Sequence, residues 1–169
     1  MPIARPRVYL AGPDVFRPDA VQHFAALVRA CNALGMEALV PSDDGAAAAG
    51  LNGLALARAI YNVNMGLLSE ADGVIANVAP FRGAEPDSGT VFEVGVAVAL
   101  GLPVVAYGVP PSSYASRVQS VRDTQGVLRD ASGAAIEDFG LSMNLMLSCS
   151  THTAPTATEA IKVMATLLR

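Results

Sequence analysis

The chain has 169 residues, the length of one compact domain, and reads as a single unit over 1–169. It is 52% hydrophobic but only 15% charged, with a formal charge of −4 and Lys162 as its one lysine, which argues against a nucleic-acid partner that would need clustered cations. No apolar run reaches the roughly 18 residues that span a bilayer, and His23 and His152 stand apart from any Cys/His cluster, so neither a membrane segment nor a metal site is expected.

Apolar runs alternate with helical patterns, the mark of βαβ units and a parallel sheet. The first strand spans 7–11 and stops at Gly12-Pro13. Val21, Phe24, Ala25, Val28 and Cys31 recur at helical spacing within 18–34, and Gly35 stands just past the end of that helix. A second strand at 37–40 runs into the turn chemistry of Pro41-Ser-Asp-Asp-Gly45. After a small-residue stretch at 46–53 comes a helix at 54–69, then a buried strand at 73–78. A loop at 79–87 leads into a helix over 89–100, and a fourth strand occupies 102–107. Residues 115–132 show no clear period and are assigned no element. Residues 139–147 read as a short helix or an extended arm, and Thr156-Ala-Thr-Glu159 is a capping box that opens a C-terminal helix.

This order predicts an α/β fold: a flavodoxin-like doubly wound sheet, mainly parallel, of about five strands with helices on both faces. Ligands in such sheets bind outside the carboxyl ends of the strands. Residues 9–14, 41–44, 80–88 and those from Tyr107 onward should therefore gather at one rim. Cys31 and Cys149 lie far apart in sequence and read as buried thiols, in keeping with a cytoplasmic protein.

The helix over 89–100 is apolar on every face except for Glu93, so it should be largely buried and carry a carboxylate inward, near the rim. Asp87 precedes Glu93 by six residues. Two carboxylates converging on one pocket can break a glycosidic bond with retention. Asp87 has an equally weighted alternative as the helix N-cap, and Gly89 either makes a tight turn or admits a sugar close to the backbone.

Tyr9-Leu-Ala-Gly-Pro-Asp-Val-Phe16, Ala71-Asp-Gly-Val-Ile-Ala-Asn77, the stretch from Pro80-Phe-Arg-Gly83 through Asp87-Ser-Gly-Thr-Val-Phe-Glu-Val-Gly95, and Phe139-Gly-Leu-Ser-Met-Asn-Leu-Met-Leu147 together resemble the nucleoside 2-deoxyribosyltransferase family. The resemblance implies an enzyme without cofactor that acts on deoxynucleosides and nucleobases. Glu93 matches the nucleophile that forms a deoxyribosyl ester, Asp87 the acid that holds sugar hydroxyls, and Tyr9 the tyrosine that positions the glutamate. Asn144 and Met146 match a pair that reaches into a neighbouring subunit's site, which implies a homo-oligomer with shared sites. Where some members carry an aspartate that protonates the base, this chain has Asn64. Asp43 is the substitute candidate for that acid, with an Asx-turn as its alternative.

Gly12, Phe16, Phe81 and Arg82 complete the expected substrate site. The two rings would stack on or cover a base, unless Arg82 is taken up in an ion pair with Glu85. Ser88, with the Gly89 amide at a helix N-terminus, would suit a phosphate if the protein instead hydrolysed deoxynucleoside 5′-monophosphates. A silent nucleotide-sensing module is the third reading, disfavoured by the presence of both carboxylates.

Overall fold

The computed structural model describes residues 4–42 and 45–169. Five parallel strands form the sheet: β1 (Arg7–Ala11), β2 (Glu37–Leu39), β3 (Gly73–Asn77), β4 (Val104–Tyr107) and, at the far edge, β7 (His152–Ala154), in the order β2-β1-β3-β4-β7. The helices are α1 (Ala20–Ala33), α2 (Gly53–Ser69), α3 (Ser88–Ala99), α4 (Tyr114–Arg117), α5 (Leu145–Ser150) and α6 (Ala157–Leu167). The doubly wound α/β architecture expected from the alternation of elements is the one observed.

Side chains of a strand alternate between the two faces of the sheet, and the core divides accordingly. Tyr9, Ala11, Val74, Ala76, Val104 and Ala106 face α2, α3 and α5 through Leu68, Val94, Ala97 and Leu147. Their neighbours Val8, Leu10, Ile75 and Val105 face α1 and α6 through Phe24, Cys31, Ile161 and Met164. Near-continuous apolar strands are what a parallel sheet covered on both faces requires. The capping box at 156–159 also forms, with the Glu159 N–H donating to Thr156 Oγ1 at 3.2 Å and the Thr156 hydroxyl donating to the Glu159 carboxylate at 2.9 Å.

Four readings of the sequence change. The fifth strand, β7, has only three residues, two of them exposed, and carries no apolar run to announce it. Residues 115–132 contain the end of α4 and a small antiparallel hairpin, β5 (Val121–Arg122) with β6 (Leu128–Arg129). Its turn is built by Asp123, whose carboxylate accepts from the N–H groups of Gln125 and Val127 at 2.8 and 2.9 Å and from Arg129 Nε at 2.7 Å. The apolar helix α3 is not buried all round: Thr90, Val94 and Ala97 pack inward, whereas Phe92, Val98 and Leu100 are exposed, because only one layer of sheet lies against it. Cys31 is buried and its thiol pKa is pushed up to about 11 by that burial, but Cys149 is exposed on α5, which turns Leu147 toward the core instead.

The packing of α6 against the sheet rests on Ile161 and Met164, both fully enclosed. Ile161→Ala should lower the unfolding free energy by about 2–5 kcal/mol, the usual cost of a large-to-small change in a closed core. Chemical denaturation that finds a loss well under 1 kcal/mol would contradict this packing.

Candidate active site

The topology brings the ends of the neighbouring strands β1 and β2 beside the start of α3, and a cleft of about 690 Å³ opens there. Gly12 and Phe16 line it from the segment after β1, Asn64 from α2, and Asp87, Gly89 and Glu93 from the start of α3. Val15, Phe24, Ile60 and Thr90 complete an apolar wall that the sequence reading did not assign to the site. They come from helices and turns whose inward face is set only when the layers pack.

Glu93 lies at the floor of this cleft, half-buried, and the hydroxyl of Tyr9 donates to its Oε1 at 2.6 Å. Tyr9 stands in the middle of β1 and is fully enclosed, so its position is held by the sheet itself. Burial, the charge of Glu93 and the hydrogen bond all push the Tyr9 pKa upward, which keeps the phenol protonated as a donor. Burial also pushes Glu93 up. The Tyr9 hydrogen bond opposes that rise by favouring the carboxylate, and the negative charge of Asp87 reinforces it.

Asp87 occupies the N-cap of α3, where Oδ2 accepts from the Thr90 N–H at 3.0 Å and from the Thr90 hydroxyl at 3.2 Å. These bonds fall on one oxygen, so the residue caps the helix while its carboxylate still lines the cleft. The helix-cap reading of Asp87 is the one the geometry shows, and it leaves the carboxylate at the cleft. Asn64 is anchored as well: its Oδ1 accepts from the Ser42 N–H at 3.1 Å, tying α2 to the segment after β2. Asp43 lies outside the described residues.

Phe16 and Phe81 stack with centroids 5.6 Å apart, and the Arg82 guanidinium lies 5.4 Å from the Phe16 centroid and 4.6 Å from that of Phe81. The expected alternative, an Arg82 pair with Glu85, is not what the chain adopts. Arg82 lies against the two rings instead and takes a left-handed backbone with φ 56°, the one non-glycine residue to do so among the described residues.

Phe81 and Arg82 do not line the cleft itself but meet its Phe16, and Ser88 lies away from it, beside Asn144 and Met146, whose expected place is a neighbouring subunit's site. Ser88, Asn144 and Met146 line a separate groove of about 510 Å³ between α3 and α5, on a different face of α3 from Glu93. Asn144 caps α5 within its own chain: Oδ1 accepts from the Met146 N–H at 2.9 Å and Nδ2 donates to Glu137 at 3.0 Å. The chain turn before a short helix leaves free N–H groups, and an asparagine at that place satisfies them. Met146 next to it is 70% exposed. No cluster of His, Cys, Asp and Glu able to hold a metal ion occurs among the described residues, and no helix among them is long and apolar enough to cross a membrane.

In Tyr9→Phe the one group that favours the ionised form of Glu93 is lost, so the Glu93 pKa should rise further and the carboxylate should form only at higher pH. Carbon NMR titration of glutamate-labelled protein, assigned with Glu93→Gln, reads this directly. A midpoint that stays put or moves down would show that the Tyr9 contact does not tune this group.

The sequence model of the family described as nucleoside 2-deoxyribosyltransferase matches residues 8–146. Among solved structures, the chain is similar to a 2-deoxyribosyltransferase of Leishmania mexicana, with 28% identity, a TM-score of 0.77, and 95% of this chain and 97% of that one covered. It shares its fold with a 2-deoxyribosyltransferase of the psychrotolerant bacterium Bacillus psychrosaccharolyticus, at 17% identity and a TM-score of 0.61, over 96% of this chain and 95% of that one. An uncharacterized protein of Schizosaccharomyces pombe is 29% identical over 157 residues, 83% of this chain and 74% of the relative. Five parallel strands, a cleft at their carboxyl ends with a carboxylate at its floor, and a family match over most of the length agree: the chain belongs to the nucleoside 2-deoxyribosyltransferase family.

Proposed function

We propose that the protein transfers 2-deoxyribose between nucleobases by a double displacement through Glu93. The observation that carries this reading is the Tyr9–Glu93 pair at the floor of the cleft: a half-buried carboxylate, held at Oε1 by a phenol, whose Oε2 is left for the anomeric carbon. In the first step Oε2 bonds to C1′ as the bond from C1′ to the base nitrogen breaks, and the base leaves with that electron pair. A second base then attacks C1′ from the opposite side and releases Glu93 as the carboxylate. Two inversions give net retention. Asp87 holds the sugar hydroxyls beside Glu93, and Gly89 keeps the backbone open to the sugar.

Asn64 faces the base. With Oδ1 engaged by the Ser42 N–H, its amide group has donors left for an acceptor on the base, and it supplies a hydrogen bond rather than a proton. That chemistry favours purines, which offer ring-nitrogen acceptors. Exchange between purine deoxynucleosides is a salvage reaction, and a cytoplasmic location suits it. The hydrolase reading would need a phosphate site beside Glu93, and Ser88 lines the other groove rather than this cleft, which favours the transferase.

Glu93→Ala should abolish both exchange and slow hydrolysis, because neither half-reaction can begin without the nucleophile. Mass spectrometry of the wild-type protein with a slow substrate should find the deoxyribosyl adduct on Glu93. An adduct on Asp87, or undiminished turnover by the variant, overturns the assignment.

The active unit is an oligomer with sites shared between chains. Phe92, Val98 and Leu100 of α3, together with Phe139 and Met146, are exposed apolar side chains on a molecule with few surface charges, and a second copy would cover them. Asn144 and Met146 would then reach the partner's cleft. Mixing inactive Glu93→Ala with inactive Asn144→Ala subunits should restore part of the activity, since some mixed sites receive intact residues from both chains. No rescue despite demonstrated subunit exchange rules the shared site out.

A further inference from the structure

A second buried carboxylate, Asp14, has no part in the chemistry above. It is 4% exposed and lies in the single turn of 3-10 helix, Pro13–Phe16, that follows β1. Its Oδ2 accepts from Asn77 Nδ2 at 2.9 Å and from the Tyr107 hydroxyl at 3.1 Å, and its Oδ1 lies 3.3 Å from His23 Nε2. Asn77 ends β3 and Tyr107 ends β4, so one carboxylate gathers the carboxyl ends of three neighbouring strands.

Asn77 carries the connection onward. While its amide donates to Asp14, its Oδ1 accepts from the Ala79 N–H at 3.1 Å, at the root of the loop that bears Phe81 and Arg82. The junction is closely packed on both sides of Asn77: a Cβ on Gly12 would come within 2.8 Å of the Asn77 Cβ, and one on Gly108 within 3.0 Å of its Oδ1. Phe16 stands two residues beyond Asp14 and Phe81 two beyond Ala79. The two rings that stack at 5.6 Å are thus the tips of two loops whose roots share one hydrogen-bonded bridge.

A buried carboxylate is expensive, and an apolar side chain would fill the same space more cheaply if packing were all that was needed. What an apolar side chain cannot do is fix the direction of Asn77 and Tyr107. We propose that Asp14 and Asn77 are positioning residues of the nucleoside cleft: their bridge sets the turn that bears Phe16 against the loop that bears Phe81 and Arg82, and so fixes the aromatic wall on which the base lies. This rests on the transferase reading of the cleft for its substrate, not for its geometry.

The test combines kinetics with a reporter. Asp14→Ala should raise KM for the nucleobase about tenfold with a much smaller change in kcat, and Asp14→Asn, which keeps an acceptor for Asn77 and Tyr107, should restore KM to within about twofold. In a Phe16→Ala background Asp14→Ala should have no further effect on KM, because the two substitutions remove the same wall. Should Asp14→Ala fail to fold, Asn77→Ser, which cuts the bridge with a smaller loss, must give the same rise in KM. The chain contains no tryptophan, so Phe16→Trp provides a single fluorophore on the wall, whose anisotropy should fall when Asp14→Ala is added. A KM unchanged by Asp14→Ala or Asn77→Ser in folded protein, effects that multiply with Phe16→Ala, or an anisotropy that does not move would overturn the proposal. If the wild-type protein exchanges no deoxyribose, the transferase reading fails, while the anisotropy of Trp at position 16 still decides the positioning role.

Discussion

A 2.6 Å hydrogen bond between Tyr9 and Glu93 joins the middle of β1 to the second turn of α3. It spans the contact between the sheet and the helix, so the carboxylate in the cleft is located by the hydrophobic packing of both elements and not by a loop. That arrangement has a thermodynamic consequence. The native state raises the Glu93 pKa above its unfolded value, so it holds a proton more tightly than the unfolded chain does, and stability is lost as pH rises through that interval. Above that interval the fold works against a partly desolvated charge, and Tyr9 offsets part of that cost. Active sites commonly carry this kind of strain, since a carboxylate fully satisfied by water would be a poor nucleophile.

Asp87 shows how one residue caps a helix and lines a cleft at once. As the N-cap of α3 it orients the first turn of the helix, and its charge reaches Glu93 strongly enough to raise that group's pKa. The same carboxylate lines the cleft. A change at this position therefore disturbs the helix start, the Glu93 carboxylate and the cleft lining together, and separating these effects requires a substitution that keeps the capping acceptor, such as asparagine.

The surface of α3 keeps a large apolar exposure. A helix whose sequence is apolar on nearly all sides meets only a single layer of sheet, so Phe92, Val98 and Leu100 remain exposed beside the groove that holds Asn144 and Met146. Hydrophobic patterning records the apolar surface that a helix must cover, without recording whether the same chain or another one covers it.

Much of the molecule was legible in the linear order of residues because hydrophobic periodicity and turn chemistry are local. The runs 7–11 and 73–78, the helix pattern ending at Gly35 and the Thr156 capping box all state their conformation within a few residues. The rule that ligands bind at the carboxyl ends of parallel strands then places Gly12, Phe16, Asp87 and Glu93 in one region. The hairpin at 121–129 escaped, although Asp123-Thr-Gln-Gly126 is a side-chain-centred turn of the kind that composition alone can flag. β7 was beyond reach, because a three-residue edge strand is defined by its pairing with β4 and not by its own side chains. The same holds for the Asp14, Asn77 and Tyr107 junction, whose members are 63 and 93 residues from Asp14 along the chain. The amino-acid sequence by itself determined the long strands and helices and the pair of carboxylates at the start of α3. Only the tertiary structure decided which polar side chains meet, that Asn144 finds its own partners and that Ser88 faces away from Glu93, because hydrogen bonds between distant residues depend on register and packing that no local pattern encodes.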